Sequence, residues 1–323
     1  MEIKPIKIFA AFFAIYFIWG TTFLAIRFAV ETIPPFLMIG ARFVLAGLLL
    51  YSLSRIRNYE KPTLSEWKKA IVVGTMMIFI GYAGLAWSEQ YINSGIAALI
   101  IATIPIWMII IDWFILKGKK PGKLTLSGIV LGLLGVSIIT NVDKNSFIST
   151  SITPALGMIS CFVLLICSFT WALASLYIKR IKIGTSLLTF TGMQMVVGGI
   201  ELLLLSMISG EFNLLSIKLI TFKSFISLLY LITFGTLIAH SAYYWLLRVG
   251  TTTKVSTYAF FNPLIAVLLG WVLADEVIDM KFIFGMSAIL IAILLIINPL
   301  RHVKLLEKLK NFRMEFKTKT TIL

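Results

Sequence analysis

Apolar residues run along this chain in long blocks separated by short polar segments rich in turn formers. The blocks fall at 8–30, 34–54, 68–88, 93–116, 124–141, 154–178, 185–208, 223–247, 254–273 and 281–299. Most are close to the ~20 residues that carry a helix across a hydrocarbon core of roughly 30 Å. Pro34-Pro35, Lys120-Pro121-Gly122, Asn145-Ser146, Ser209-Gly210 and Val249-Gly250 mark turns between them. The alternating pattern of half-buried strands is absent. The pattern predicts an all-α, polytopic membrane protein with ten transmembrane helices.

Composition sharpens this. Hydrophobic residues make up 59% of the 323 and charged residues 13%, too few to clothe a soluble domain of this length. A formal charge of +15 on a soluble surface would suggest nucleic acid. Here the basic residues cluster between blocks and in the tail, where they report orientation, so no nucleic-acid partner is expected. With the N-terminus in the cytoplasm, 23 of the 29 basic residues fall in inner segments and 4 in outer ones. Both termini are therefore expected in the cytoplasm of a multi-pass protein of the prokaryotic plasma membrane. Lys4 and Lys7 precede a first block without a small-residue cleavage site, which reads as a retained span. The basic, partly apolar tail 300–323 is expected to lie along the anionic inner leaflet. Cys161 and Cys167 share one block at a spacing unsuited to a disulfide, and no metal knuckle occurs.

The blocks also repeat. Setting Pro263 against Pro105 fixes an offset of 158, which pairs Trp87 with Trp245, Ala86 with Tyr244, Ser94 with Thr252 and Tyr82 with His240. Five spans per half is odd, so the halves 8–142 and 154–299 should enter the membrane in opposite senses. Such inverted repeats can exchange conformations and turn an inward-open cavity into an outward-open one.

Several stretches carry a family resemblance: Trp19-Gly20-Thr21-Thr22-Phe23, Arg42, Asn93-Ser94-Gly95-Ile96-Ala97-Ala98, Pro105, Ala259-Phe260-Phe261-Asn262-Pro263-Leu264 and Asp275-Glu276. Across roughly 8–298 the chain resembles the drug/metabolite transporter superfamily, in its EamA-type branch. The resemblance implies ten spans, two EamA repeats and movement of amino acids, metabolites, nucleobases or drugs, frequently outward. Where many relatives carry Gly-Glu at the end of span 4, this chain has Lys117-Gly118.

Polar and aromatic residues inside the blocks are the candidates for transport. Pro105 and Pro263 each remove a backbone donor, which opens carbonyls, supplies a hinge or leaves a static kink. Arg42 lies roughly 12 Å deep at ~1.5 Å per residue, where its charge needs either a substrate carboxylate or a partner such as Glu201. His240 either handles a proton or rests as a neutral buried imidazole. Glu201 and His240 are the candidates for proton coupling. Thr22, Thr103, Gln194 and Asn262 add donors and acceptors for a wet cavity, or serve as interhelical bonds. Trp19, Tyr82, Trp107, Trp171, Tyr244 and Tyr258 sit deep enough to wall such a cavity and stack on planar or apolar substrates. Asp112, near the inner end of span 4, suits a cytoplasmic gate or an anchoring ion pair. Gly128 and Gly132 suggest that spans 5 and 10 are scaffold or dimer surface.

These features point to a secondary transporter of small organic solutes, such as an exporter of amino acids or related metabolites, working as monomer or homodimer without cofactor. An uncoupled drug, nucleobase or metabolite uniporter is the alternative. A phosphate-binding glycine loop is missing, which argues against an ATP-driven pump. A channel has no need of opposed prolines, and an enzyme on a lipid-linked substrate would want clustered acids, histidines or a metal set, so no catalytic role is expected.

Overall fold

The computed structural model describes residues 5–88, 91, 97, 100–118, 120–139, 154–274 and 280–297. All regular structure among them is helical. The main helices are α1 (5–29), α2 (Pro35–Ile56), α3 (Leu64–Ser88), α4 (Ile104–Ile115), α5 (Lys123–Ile139), α6 (Pro154–Arg180), α7 (Leu187–Ile208), α8 (Phe222–Val249), α9 (Tyr258–Ala274) and α10 (Met280–Ile297). Short helices Glu211–Leu214 and Thr252–Val255 lie between. Of these, α1, α2, α3, α6, α7 and α8 are long and apolar enough to cross a bilayer, and α4, α5 and α10 contain shorter apolar stretches. Leu45, Leu48 and Leu49 on α2, Ile200 and Leu204 on α7, and Ile291 and Leu294 on α10 are exposed. On a helix, apolar groups left outside in this way face lipid. The protein is a polytopic, all-α membrane protein.

Local chemistry sets the helix starts. Pro35 occupies the first turn of α2, where its missing N–H costs nothing. Thr63 and Glu66 form a reciprocal capping box at α3. Ser186 and Thr221 accept from Thr189 N and Ser224 N at the starts of α7 and α8.

Glycines determine which helices touch most closely. A Cβ on Gly47 would lie 2.7 Å from Val196 N, and one on Gly199 would lie 2.7 Å from Val44 N and 3.0 Å from the Gly40 carbonyl. Gly40 thus opposes Gly199 and Gly47 opposes Gly192, so α2 and α7 run antiparallel with backbones in contact. The same scheme joins α5 to α10: a Cβ on Gly135 would stand 2.8 Å from the Gly285 carbonyl, and one on Gly128 3.0 Å from the Ala292 carbonyl. Gly132, four residues from Gly128, faces Phe260 instead. Spans 5 and 10, expected to be scaffold or dimer surface, pair with each other.

Three further sets of contacts come in exchanged pairs. α1 packs on α9 and α6 on α4; α1 packs on α8 and α6 on α3; α2 packs on α8 and α7 on α3. Buried carboxylates fasten the ends of the central pair. Glu211 accepts from Phe36 N (3.2 Å) and Leu37 N (2.8 Å) at the start of α2, while Glu66 accepts from Thr185 N (2.6 Å) just before α7.

Among the described residues, four helices contain wider π-helical turns: Ala14–Ile18 in α1, Thr75–Ile80 in α3, Ile111–Ile115 in α4 and Leu231–His240 in α8. An offset of 158 carries 75–80 onto 233–238, inside the α8 stretch. The two prolines differ despite their matched positions. Pro105 lies in the first turn of α4, after a break at Ala102-Thr103, whereas Pro263 is inside α9.

Candidate functional site

The widened turn of α8 brings His240 to the centre of an aromatic cluster. Its ring lies 5.2 Å from Trp19, 5.4 Å from Phe43 and Tyr244, 5.8 Å from Trp171 and 6.1 Å from Tyr82, centroid to centroid. The indoles are fixed by protein partners. Trp19 Nε1 donates to the Gly235 carbonyl at 3.1 Å, on the π turn of α8. Trp171 Nε1 donates to the Tyr243 hydroxyl at 3.1 Å, which also bonds Ser175 at 2.7 Å.

Beside this cluster is a narrow cavity of about 90 Å³. Trp19, Thr22, Tyr82, Trp171, Tyr258 and Asn262 line it, joined by Phe23, Ile26, Gly81, Leu85, Ile101, Ile104 and Cys167. The sequence reading missed that second set, whose members are mostly aliphatic and indistinguishable from core by type. Tyr243 was also missed, although Tyr244 beside it was singled out.

The candidates divide by place. Arg42, His240 and Tyr244 stand behind the wall, and Tyr244 donates to Met77 Sδ at 3.7 Å. Arg42 is 1% exposed; its Nε donates to Thr236 Oγ1, and its Cζ lies 5.1 Å from the Phe43 ring centre and 5.6 Å from that of Tyr82. Thr236 in turn donates to the Leu231 carbonyl at 3.0 Å within the π turn. Three candidates lie away from the cavity wall. Thr103 donates to the Ile100 carbonyl, Trp107 packs on Phe169, and Gln194 is buried on α7, whose Gln194 carbonyl faces Gly74 of α3.

Arg42 does not pair with Glu201. Glu201 Oε1 accepts from Thr75 Oγ1 at 2.7 Å in the π turn of α3, and its Oε2 has no partner. Arg42 Nη1 and both His240 nitrogens are likewise buried without partners. The Asn262 amide nitrogen faces the carbonyls of Ile15 (3.2 Å), Tyr16 (3.1 Å) and Tyr258 (3.2 Å). It therefore serves the π turn of α1, where the shifted ladder leaves carbonyls to be met.

The two ends of the bundle differ. At one end the last turn of α6 is clamped from three sides. Arg180 donates to Asp112 Oδ1 (3.0 Å) and the Leu116 carbonyl (3.1 Å), Lys179 to the Gly250 carbonyl (2.9 Å), and Arg248 to the Ile178 and Ile181 carbonyls (3.0 and 2.8 Å). Asp112 thus forms an ion pair with Arg180. At the other end a cavity of about 710 Å³ opens among Glu31, Pro34, Pro35, Glu211 and Leu214, sharing Ile26 with the central cavity. Both cysteines are free, and the described residues hold no group of His, Cys, Asp and Glu suited to a metal. The basic tail, most of 93–98, Asp275-Glu276 and the Arg27 side chain lie outside the described residues.

The fold and the site are those of a polytopic helical membrane protein with a central aromatic cavity. The chain belongs to the EamA-like transporter family, whose profile matches it twice, at residues 6–141 and 158–298. It is similar to the inner membrane transporter YedA of Escherichia coli K12, 33% identical over 295 residues that cover 90% of each chain. The transporter YoaV of Bacillus subtilis is 24% identical, over 87% of this chain and 93% of its own. A crystal structure at 15% identity shares the fold, with a TM-score of 0.74 over 91% of this chain and 97% of that one.

Proposed function

We propose that the chain is a secondary transporter that exports small organic solutes, such as amino acids or related metabolites, by alternating access through the central cavity. The antiparallel pairing of α2 with α7 and of α5 with α10, with the contacts of α1 on α8 and α9 and of α2 on α8 repeated as α6 on α3 and α4 and α7 on α3, carries this reading. It is the geometry expected of two inverted five-helix repeats, 8–142 and 154–299. In such a pair the close-packed counterparts act as an axis, and α1, α3, α4, α6, α8 and α9 rock about it. The clamp around Arg180 closes the end holding the basic loops, which the charge bias places in the cytoplasm together with both termini. The wide cavity at Glu31 and Glu211 then faces outward, with Ile26 between it and the aromatic site. Pro105, Pro263 and the π turns are the places where helices can bend, and Asp112 belongs to the inner closure.

Cysteines at positions 112 and 180, in a Cys161→Ser/Cys167→Ser background, test the mechanism. Oxidative crosslinking should stop counterflow in proteoliposomes, and reduction should restore it. Undiminished counterflow in the crosslinked protein sinks the rocking mechanism.

A further inference from the structure

We infer that the central cavity takes an organic monoanion, a carboxylate on a planar apolar body, and that it favours this over the zwitterion of the same body. The inference rests on the cavity being the transport site, and it narrows the proposed solutes from zwitterionic amino acids to related carboxylate metabolites. Arginine keeps its charge in proteins, and a charge withdrawn from water needs a counter-charge or a full set of polar partners. Arg42 has neither. The ion pairs among the described residues are Arg180 with Asp112 and Lys223 with Glu31, and no acid reaches Arg42. Its Nε is held by Thr236, the Tyr82 side chain is a further hydrogen-bond partner, its face rests near Phe43 and Tyr82, and Nη1 is left without a partner.

The guanidinium stands one side chain behind the cavity. A Cβ on Gly235 would lie 3.0 Å from Arg42 Nη2 and 2.9 Å from Thr22 Cγ2, so Arg42 and the wall residue Thr22 crowd one point. Tyr82, the other side chain between them, lines the cavity and holds its ring near Arg42. Turning the Tyr82 ring would join Arg42 to the cavity. His240 adds two further unpartnered nitrogens against the same ring.

Among the described residues, the wall contains no carboxylate. A ligand carboxylate would supply the charge that Arg42 lacks, and the aromatic walls suit a flat apolar body. An ammonium group would find no acid among the described lining residues and would stand near an existing cation. The Tyr82 face that could receive it already lies close to Arg42.

Equilibrium binding to the purified full chain in nanodiscs tests this with three probes of one skeleton: 3-phenylpropionate, phenylalanine and 2-phenylethylamine. We expect the carboxylate to bind at least tenfold more tightly than the zwitterion, and the amine most weakly. Arg42→Gln should remove most of the carboxylate's advantage, and Arg42→Lys should restore part of it. Because a change at a buried arginine can disturb folding, the wild-type ranking decides by itself. Phenylalanine or amine binding as tight as the carboxylate's, and lost in Trp19→Ala, overturns the anion assignment while leaving the cavity reading intact. Carboxylate binding that Trp19→Ala leaves unchanged overturns the cavity reading instead. Binding of none of the three overturns the inference, whereas crosslink-sensitive counterflow of another solute would still support the transport reading.

Discussion

Gly47 of α2 and Gly192 of α7 meet backbone to backbone. A methyl on Gly47 would stand 2.8 Å from the Gly192 carbonyl oxygen, and one on Gly192 2.9 Å from the Gly47 carbonyl oxygen. Neither obstacle is a flexible side-chain tip, so an added carbon must push two helices apart. Overpacking of this kind costs about 1–3 kcal/mol. Gly47→Ala and Gly192→Ala should each lower the unfolding temperature in detergent by several degrees. Gly122→Ala, with nothing within 4 Å, should leave it unchanged. A thermal melt followed by size exclusion reads both, and equal melts for all three would show that the contact is not tight.

Glu211 is a second fastening of the same pair. Its carboxylate accepts from Phe36 N, from Leu37 N and from Ser206 Oγ at 2.9 Å, meeting two of the donors that the start of α2 leaves open. Truncation leaves these groups buried without a partner, which costs about 1–3 kcal/mol. Glu211→Ala should melt earlier, and Glu211→Gln should recover part of the loss by keeping one acceptor oxygen. No recovery with glutamine would indicate that the charge, rather than the hydrogen bonding, does the work.

Much of this architecture was legible in the sequence because bilayer physics is crude and strong. Block length alone placed α2 and α7 within two residues of their starts and ends. The offset of 158 sets α3 against α8, and both contain π turns, which no residue pattern announced. The site was less legible. Trp19, Tyr82 and Trp171 were found because deep indoles and phenols need polar partners. Ile26, Leu85 and Ile104 were missed because nothing in an aliphatic side chain tells cavity from core. Arg42 and Glu201 looked like partners by depth, and depth cannot say which way each faces. Arg42 turns to Thr236 on α8, and Glu201 turns to Thr75 on α3.

Asn262 shows how a residue that looks like a ligand can be a support. Its amide nitrogen faces three carbonyls, two of them on the π turn of α1. Asn262→Leu would leave those carbonyls without the donor, at a cost of about 1–3 kcal/mol. Asn262→Asp would place an acceptor-only group against them and should be worse. Melting temperatures in the order wild type, leucine, aspartate are expected. An aspartate variant as stable as wild type would show that the side chain does not serve α1.

Glu201 separates coupled from uncoupled transport. It is the acid of α7, bound through one oxygen to Thr75 on the π turn of α3, with the other oxygen unpartnered. Because α3 packs on both α6 and α7, a proton on Glu201 could bias how α3 moves. If Glu201 carries the coupling proton, Glu201→Gln mimics the protonated state permanently. Counterflow, which needs no net proton movement, should persist within about twofold of wild type, a change of only about 0.4 kcal/mol in barrier. Uphill accumulation driven by an imposed pH gradient should vanish. Thr75→Val should weaken accumulation without abolishing it, since it removes a hydrogen bond and leaves the carboxylate in place. Proteoliposomes with and without a pH gradient give both readouts on one preparation. Gradient-driven accumulation that survives Glu201→Gln would exclude Glu201 as the coupling group. Wild-type flux that ignores the gradient altogether would establish the uncoupled alternative.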